Sequence, residues 1–422
     1  MTFASYWRLL RGNRNFRLLW TAQIVSELGD WFYSVAIFSF LLELTGSAQM
    51  VALAFLMQVL PQTIIAPAAG VINDRISRRK IMMFADWARG VIVLAMMLVR
   101  TKAMLPLLYL LLFLETVCWA LFEPGHHAVI PNITEGDDVP IANALCAATW
   151  SINFAVGAGL GGLVLVSAGR STVFIVNSLS FVASALLIRA MKFAEPHTDN
   201  LPPLHPRDLI DFSPIAEGIR YVRRDPKLLA TIFVKSGIGI AGSNWVILPV
   251  LGERVFRMQV RGLSASQAGA LGMSILLASR GFGAVLGAFL GGNFAGTNLH
   301  RLRWIILTGF VMTGVGYIFL GVAGSLFIAV LTLMLAHAGG SACWTASSTL
   351  LQKQTDDRFR GRVFSAEFAF NMLILAVSSY TAGRAVDAGI NVRTVAIATG
   401  AAMIVPSVAW LIAGRAWRQP TG

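Results

Sequence analysis

The sequence predicts an all-α membrane protein of 12 transmembrane helices in two six-helix bundles, and three observations predict it. Of 422 residues, 56% are hydrophobic and 13% charged, with mean hydropathy +0.68. That is too much apolar surface for an ordinary soluble domain, so lipid is the expected solvent. Apolar runs of about 20 residues, the length that crosses a hydrocarbon core, recur along the chain. The cations behind the net charge of +13 are dealt out between these runs rather than gathered in a patch, which argues against nucleic acid as a partner.

In chain order, residues 1–16 form a cytoplasmic N-terminal segment in which Tyr6, Trp7, Leu9 and Leu10 alternate with Arg8, Arg11 and Arg14, the pattern of an interfacial anchor. No short apolar core with a small-residue cleavage site follows, so the first span reads as a retained helix. A first bundle, 17–193, contains spans near 17–43, 48–72, 81–100, 103–123, 141–168 and 171–193. Residues 194–227 are polar and rich in proline (Pro196, Pro202, Pro203, Pro206, Pro214, Pro226), which suits a cytoplasmic linker with a short surface helix. A second bundle, 228–414, contains spans near 228–251, 265–292, 303–323, 325–351, 362–387 and 392–414, and 415–422 is a cytoplasmic tail. Most of the 34 Lys and Arg residues fall on the side that holds both termini, which makes that side cytoplasmic. Cys118, Cys146 and Cys343 lie inside apolar runs without metal-ligand spacing and read as packing residues.

The sharpest local signal is the turn between spans 2 and 3, Gly70 followed by Asp74, Arg75, Arg78, Arg79 and Lys80. Gly70 is expected to let helix ends approach closely, Asp74 to sit against a helix N-terminus, and the cations to hold the turn at the cytoplasmic surface. Spaced as G-x-x-x-D-R-x-x-R-R, the turn resembles motif A of the major facilitator superfamily, with Ser77 where that family usually has Gly. The halves also echo one another weakly, Asp138 through Asn143 aligning with Asp357 through Arg362, and the resemblance covers the whole chain. It implies the major facilitator fold and a cytoplasmic gate. In that gate Asp74 docks near residues 361–364, with Arg75, Arg78, Arg79, Asp86, Arg89 and Glu367 in its network.

Further segments resemble the drug:H+ antiporter branch that holds macrolide efflux proteins and siderophore exporters. These are Asn15 through Trp20 leading to Leu28-Gly29-Asp30-Trp31, Asp86 with Arg89, and Arg360-Gly361-Arg362-Val363. The chain departs from the branch at Ala158, where the antiporter motif has Pro, and in lacking the arginine of span 4.

A charge at the bilayer centre costs about 2.5–3.5 kcal/mol on insertion scales, so each one inside a span is a functional candidate. Gln23, Glu27, Asp30 and Ser34 fall on one helical stripe, expected to face a wet cavity, and mid-span Asp30 is the candidate proton carrier. Lys235 and Arg280 are candidate cation partners, and an Asp30–Arg280 pair across the halves would couple them; the bland alternative to a transport role is that Asp30 simply pairs with a buried cation. Glu115 and Trp119 in span 4, Gln58 and Gln62 in span 2, and Asn153 in span 5 are candidate lining, as are His337 and Trp344 on a second stripe in span 10. Each of these equally suits helix packing. Gly157, Gly159, Gly161 and Gly162 in span 5, with Gly281, Gly283, Gly287, Gly291 and Gly292 in span 8, suit close helix contacts, sliding or static.

The resulting expectation is a secondary transporter of the cell membrane, working by alternating access and exporting a drug-like or other amphipathic compound in exchange for protons. Export of a siderophore or other secreted metabolite, and lysophospholipid movement, are the alternatives within transport; a transporter-shaped receptor or scaffold is the alternative outside it. No cofactor, no metal and no catalytic residues are expected, His126-His127 being read as a loop pair after Pro124 without a ligand set. The expected partners are a small organic substrate, protons and the bilayer, and the expected state is a monomer.

Overall fold

A computed structural model describes residues 3–136, 138–195, 213–295, 298–356 and 359–416. The linker residues 196–212 and the last six of the tail lie outside the described residues. Among the described residues fifteen α-helices run α1 (Phe3–Gly12), α2 (Arg14–Thr45), α3 (Ala48–Arg75), α4 (Arg78–Met96), α5 (Leu105–Ile133), α6 (Asp138–Arg189), α7 (Ser213–Val222), α8 (Pro226–Ser236), α9 (Asn244–Arg254), α10 (Ala265–Ala295), α11 (Leu299–Val322), α12 (Leu326–Gln354), α13 (Arg360–Asp387), α14 (Val392–Ala402) and α15 (Ile404–Ala416).

Ten helical stretches among the described residues are long and apolar enough to cross a membrane. Twelve segments are present nonetheless. The 52-residue α6 is two helices broken at Gly169, whose φ of 83° is the left-handed region that glycine tolerates. The break falls between the fifth and sixth expected spans. The 19-residue α4 is less apolar because it carries Arg78, Arg79, Lys80, Asp86 and Arg89. It is inside out: Phe84, Val91 and Leu94 are exposed while Asp86 and Arg89 are buried, the arrangement a lipid solvent favours.

Two compact units emerge, residues 1–37 with 57–211, and residues 38–56 with 212–422. In the first, Leu9, Phe16 and Leu19 pack with Met82, Phe122, Val129, Ile130, Cys146 and Ile188. The anchor helix α1 is tied to α6 by an Arg8–Asp138 ion pair at 2.7 Å. Gly157 and Gly161 of α6 lie against α2, where a Cβ at either would come within 2.7 Å of Trp31 or Phe32. In the second unit, Gly283 and Gly287 of α10 abut the backbone of α12 in the same way. These four glycines therefore serve packing inside their own units. All three cysteines are buried and free.

The seventh span is α8, a 3-10 stretch Gly237–Ser243, and α9. Irregular backbone at membrane depth must be satisfied by protein. Here Ser379 of α13 donates to the Gly242 carbonyl at 2.7 Å and Ser378 to that of Ile240.

Two sequence expectations change. The fourth span was expected to end near 123, but α5 continues to Ile133 through Pro124 and Pro131, so His126 and His127 are helical rather than in a loop. Proline is tolerated where neighbouring groups re-satisfy the backbone. Gly70 makes no close approach: a Cβ there would meet nothing within 4 Å. Asn73 occupies the crowded position instead. Buried, it donates to Ala69 O and Leu121 O, both at 2.9 Å, and fastens α3 to α5 opposite Gly125.

Candidate functional site

Four helices of the first unit converge on buried charge. The stripe of α2 brings Gln23, Glu27 and Asp30; α4 brings Asp86 and Arg89; α5 brings Glu115, Trp119, Phe122, Glu123 and His126; α6 brings Asn153. Arg89 is the hub. Its Nη2 donates to Asp30 Oδ2 at 2.6 Å and its Nε to Glu115 Oε1 at 2.7 Å, while Asp86 lies 3.7 Å from Nη1. The guanidinium covers the Phe181 ring at 4.0 Å. Charge-assisted hydrogen bonds of this kind are the strong ones, and a fixed guanidinium fork holds two carboxylates at once. Tyr33 donates to the other oxygen of Glu115 at 3.4 Å, whereas the second oxygen of Asp30 accepts no hydrogen bond.

Glu27, one turn before Asp30, is held separately. Gln23 Nε2 donates to one of its oxygens at 2.9 Å and Asn153 Nδ2 to the other at 2.8 Å. Gln23, Glu27, Asp30, Arg89, Trp119, Phe122, Glu123 and His126 line a small cleft. Glu123 and His127 pair at 3.2 Å one turn apart. Sequence reading missed both acid and histidines because Pro124 looked like a helix end; their spacing with Glu115 and Trp119 on one helical stripe was the available signal.

The sequence had grouped Asp86 and Arg89 with the basic turn. The structure moves them to the Asp30 cluster, because Arg89 lies about 16 Å along α4 from Arg78 at 1.5 Å per residue. It also supplies the partner of Asp30 within the first unit, Arg89 taking the role offered to Arg280. Gln62 donates to the Gln58 carbonyl one turn back, a local helix contact.

The turn itself has its own fastening. Ser77 is the N-cap of α4, accepting from Lys80 N at 3.3 Å, so the residue that departs from the family pattern does a capping job. Glu195, just after α6, accepts from the Ser77 hydroxyl and from the backbone N–H of Arg78 at 2.7 Å. An acid at a helix N-terminus is stabilising. Arg78 donates to Ala128 O at 3.0 Å and Arg79 to Met191 O at 2.8 Å, while the Asp74 side chain is 75% exposed with Arg78 at 3.6 Å.

In the second unit, buried Lys235 of α8 donates to Glu367 of α13 at 2.9 Å and sits 4.1 Å from the Trp344 ring and 5.4 Å from the Phe364 ring. Glu367, expected in the gate, thus belongs to a buried pair with a residue expected in the cavity. Arg280 lies 4.4 Å over Trp245, whose ring stacks on Phe55 at 4.7 Å. His337 of α12 shares a 3.0 Å hydrogen bond with Tyr317 of α11. Among the described residues no three His, Cys, Asp or Glu side chains form a metal-holding group.

Apolar exteriors around charged interiors, in twelve membrane-length segments, define a polytopic transporter. The chain belongs to the major facilitator family described as "Transmembrane secretion effector", which it matches over residues 4–416. It is 26% identical over 315 residues to the putative bacilysin exporter BacE of Bacillus subtilis, covering 74% of each chain. It is 24% identical over 221 residues to macrolide efflux protein A of Streptococcus pyogenes, covering 52% of this chain and 54% of that one. A match to the uncharacterized MFS-type transporter YkuC of Bacillus subtilis (strain 168), at 25% identity, spans 56% of either chain, so the chain aligns with little more than half of that relative. Among solved structures, a bacterial homolog of the human lysosomal transporter Spinster superposes with a TM-score of 0.72 at 15% identity, covering 97% of this chain and 99% of that one. The nucleoside transporter NupG gives 0.71 at 11% identity, covering 94% and 99%. These two likenesses carry the fold alone.

Proposed function

We propose that the protein works by alternating access and exports a drug-like or other amphipathic organic compound in exchange for protons, with the Asp30–Arg89–Glu115 cluster as the coupling site. One observation carries this reading: a single buried guanidinium is shared by Asp30 and Glu115 with Asp86 beside it, and Glu27 lies one turn away in the same cleft. Carboxylates in excess of cations inside a bilayer need a compensating positive charge. A proton on Asp30, whose second oxygen accepts no hydrogen bond, supplies part of it in one state; a cationic or amphipathic guest beside Trp119 and Phe122 supplies that part in the other. The distribution of Lys and Arg supports cytoplasmic termini, and Asp74 is the acid proposed to close the cytoplasmic gate near residues 361–364. A monomer suffices for this cycle.

The similarity to a putative bacilysin exporter favours a second reading, export of a metabolite the cell makes itself. The two separate in everted membrane vesicles energised to a pH gradient. Cationic drugs, small peptides and organic anions are added in turn, and collapse of the gradient is read by fluorescence. Collapse by cationic drugs supports the first reading, and collapse by peptides or anions alone supports the second. No collapse by any compound, in vesicles shown to contain the protein, contradicts proton exchange for all of them.

A further inference from the structure

The hairpin that joins α2 to α3, residues 38–56, clusters with the C-terminal helices rather than with the rest of the first six spans. One side chain accounts for much of its attachment. Asp387, the last residue of α13, accepts from the backbone N–H of Ala48 at 2.8 Å and of Gln49 at 3.1 Å, and from the Ser47 hydroxyl. These N–H groups open α3 and have no partner within their own helix. A carboxylate there gains from the helix dipole, whereas at the C-terminal end of its own helix the same charge is disfavoured. Asp387 is therefore placed for α3, not for α13.

The surroundings are built for that contact. Gly383, one turn earlier on α13, lets the helices touch: a Cβ there would lie 2.9 Å from Gln49 Cα and 3.0 Å from the Ala52 Cβ. Gln49 Nε2 donates to the Tyr380 hydroxyl at 3.0 Å, and Arg254, at the end of α9, donates to the Gly46 carbonyl at 2.6 Å. Gly46 takes φ 68° in the turn. Asp74 is the penultimate residue of α3 and Asp387 the last of α13, so each of these helices carries an acid in its last turn.

We propose that Asp387 is a gating residue for transport: by capping α3 from α13 it latches hairpin 38–56 onto the C-terminal helices at the outer face, and loss of the cap opens the outer end of the transport path. The capped carboxylate gives a specific, reversible attachment, since its hydrogen bonds exchange for water when the helices part. The inference rests on alternating access and on the cytoplasmic placement of the termini, but not on proton coupling.

The test is labelling of Ala52→Cys by a membrane-impermeant maleimide added to intact cells, with the wild-type protein, whose cysteines are buried, as the blank. Ala52→Cys alone should react slowly. Adding Asp387→Ala should raise the rate by about tenfold, the scale expected for losing charge-assisted hydrogen bonds. Gly383→Leu, which wedges the helices apart with Asp387 intact, should raise it too. If Asp387→Ala does not accumulate in the membrane, Asp387→Asn, which keeps one acceptor, is read instead and should give a smaller rise. An unchanged rate in the inserted Asp387 variant, or labelling only after the cells are permeabilised, overturns the proposal. The assay uses neither substrate nor gradient, so its outcome is independent of proton exchange.

Discussion

Both units bury charge, and they balance it differently. In the first, one guanidinium serves Asp30 and Glu115, with Asp86 beside it and Glu27 held apart by two amides. In the second, Lys235 and Glu367 form a one-to-one pair roofed by Trp344 and Phe364. A balanced pair needs no third charge, and an acid-rich cluster does. The contrast favours the first unit over the second as the place of the coupling proposed above, and the second unit's pair as a fastening.

The largest effect should come from removing the hub. Arg89→Ala leaves Asp30, Glu115 and Asp86 without their cation, and breaking a buried pair this way costs about 3–5 kcal/mol. Arg89→Ala should therefore fall sharply in thermal unfolding temperature in detergent and lose transport. A stable, active Arg89→Ala protein would erase the distinction between the units.

A double substitution sharpens the other side. Lys235→Met or Glu367→Leu alone should destabilise by about 3 kcal/mol, whereas the two together, replacing a matched pair with apolar groups, should return to within about 1 kcal/mol of the parent. Melting curves of all four proteins check this. A double variant as unstable as either single one would show that the pair answers to further charges.

The fold was largely legible in the sequence because lipid imposes a simple rule: segments of membrane length must be apolar, and their connections carry the cations. The stripe Gln23, Glu27 and Asp30 was legible for a similar reason, helical spacing alone placing it on one face. What the sequence did not show was which helix faces meet. Arg89 was assigned to the basic turn by proximity in the chain, yet its three turns of separation carry it to Asp30 on another helix. Glu123 and His126 were missed because Pro124 ends helices in water more readily than inside a bundle. Glu195 could not be read as the companion of Ser77 at the start of α4, since 118 residues separate them.

The smallest effect concerns that cap, which lies outside the buried charge of either unit. Ser77→Ala should cost about 1 kcal/mol and Ser77→Gly only a few tenths, as for N-cap residues generally. Faster hydrogen exchange confined to the first turn of α4, with transport unchanged, is the expected signature. Lost transport in Ser77→Gly would tie the turn to the cycle more tightly than its capping role does.

Asp30 is the proposed carrier of the exchanged proton, and proteoliposomes test that role most directly. With a substrate identified in everted vesicles, Asp30→Asn is compared with the parent in two assays, uptake driven by an imposed pH gradient and exchange of labelled for unlabelled substrate without a gradient. Asp30→Asn should keep exchange and lose gradient-driven accumulation if Asp30 carries the proton. Accumulation by Asp30→Asn at the parent's level would contradict it.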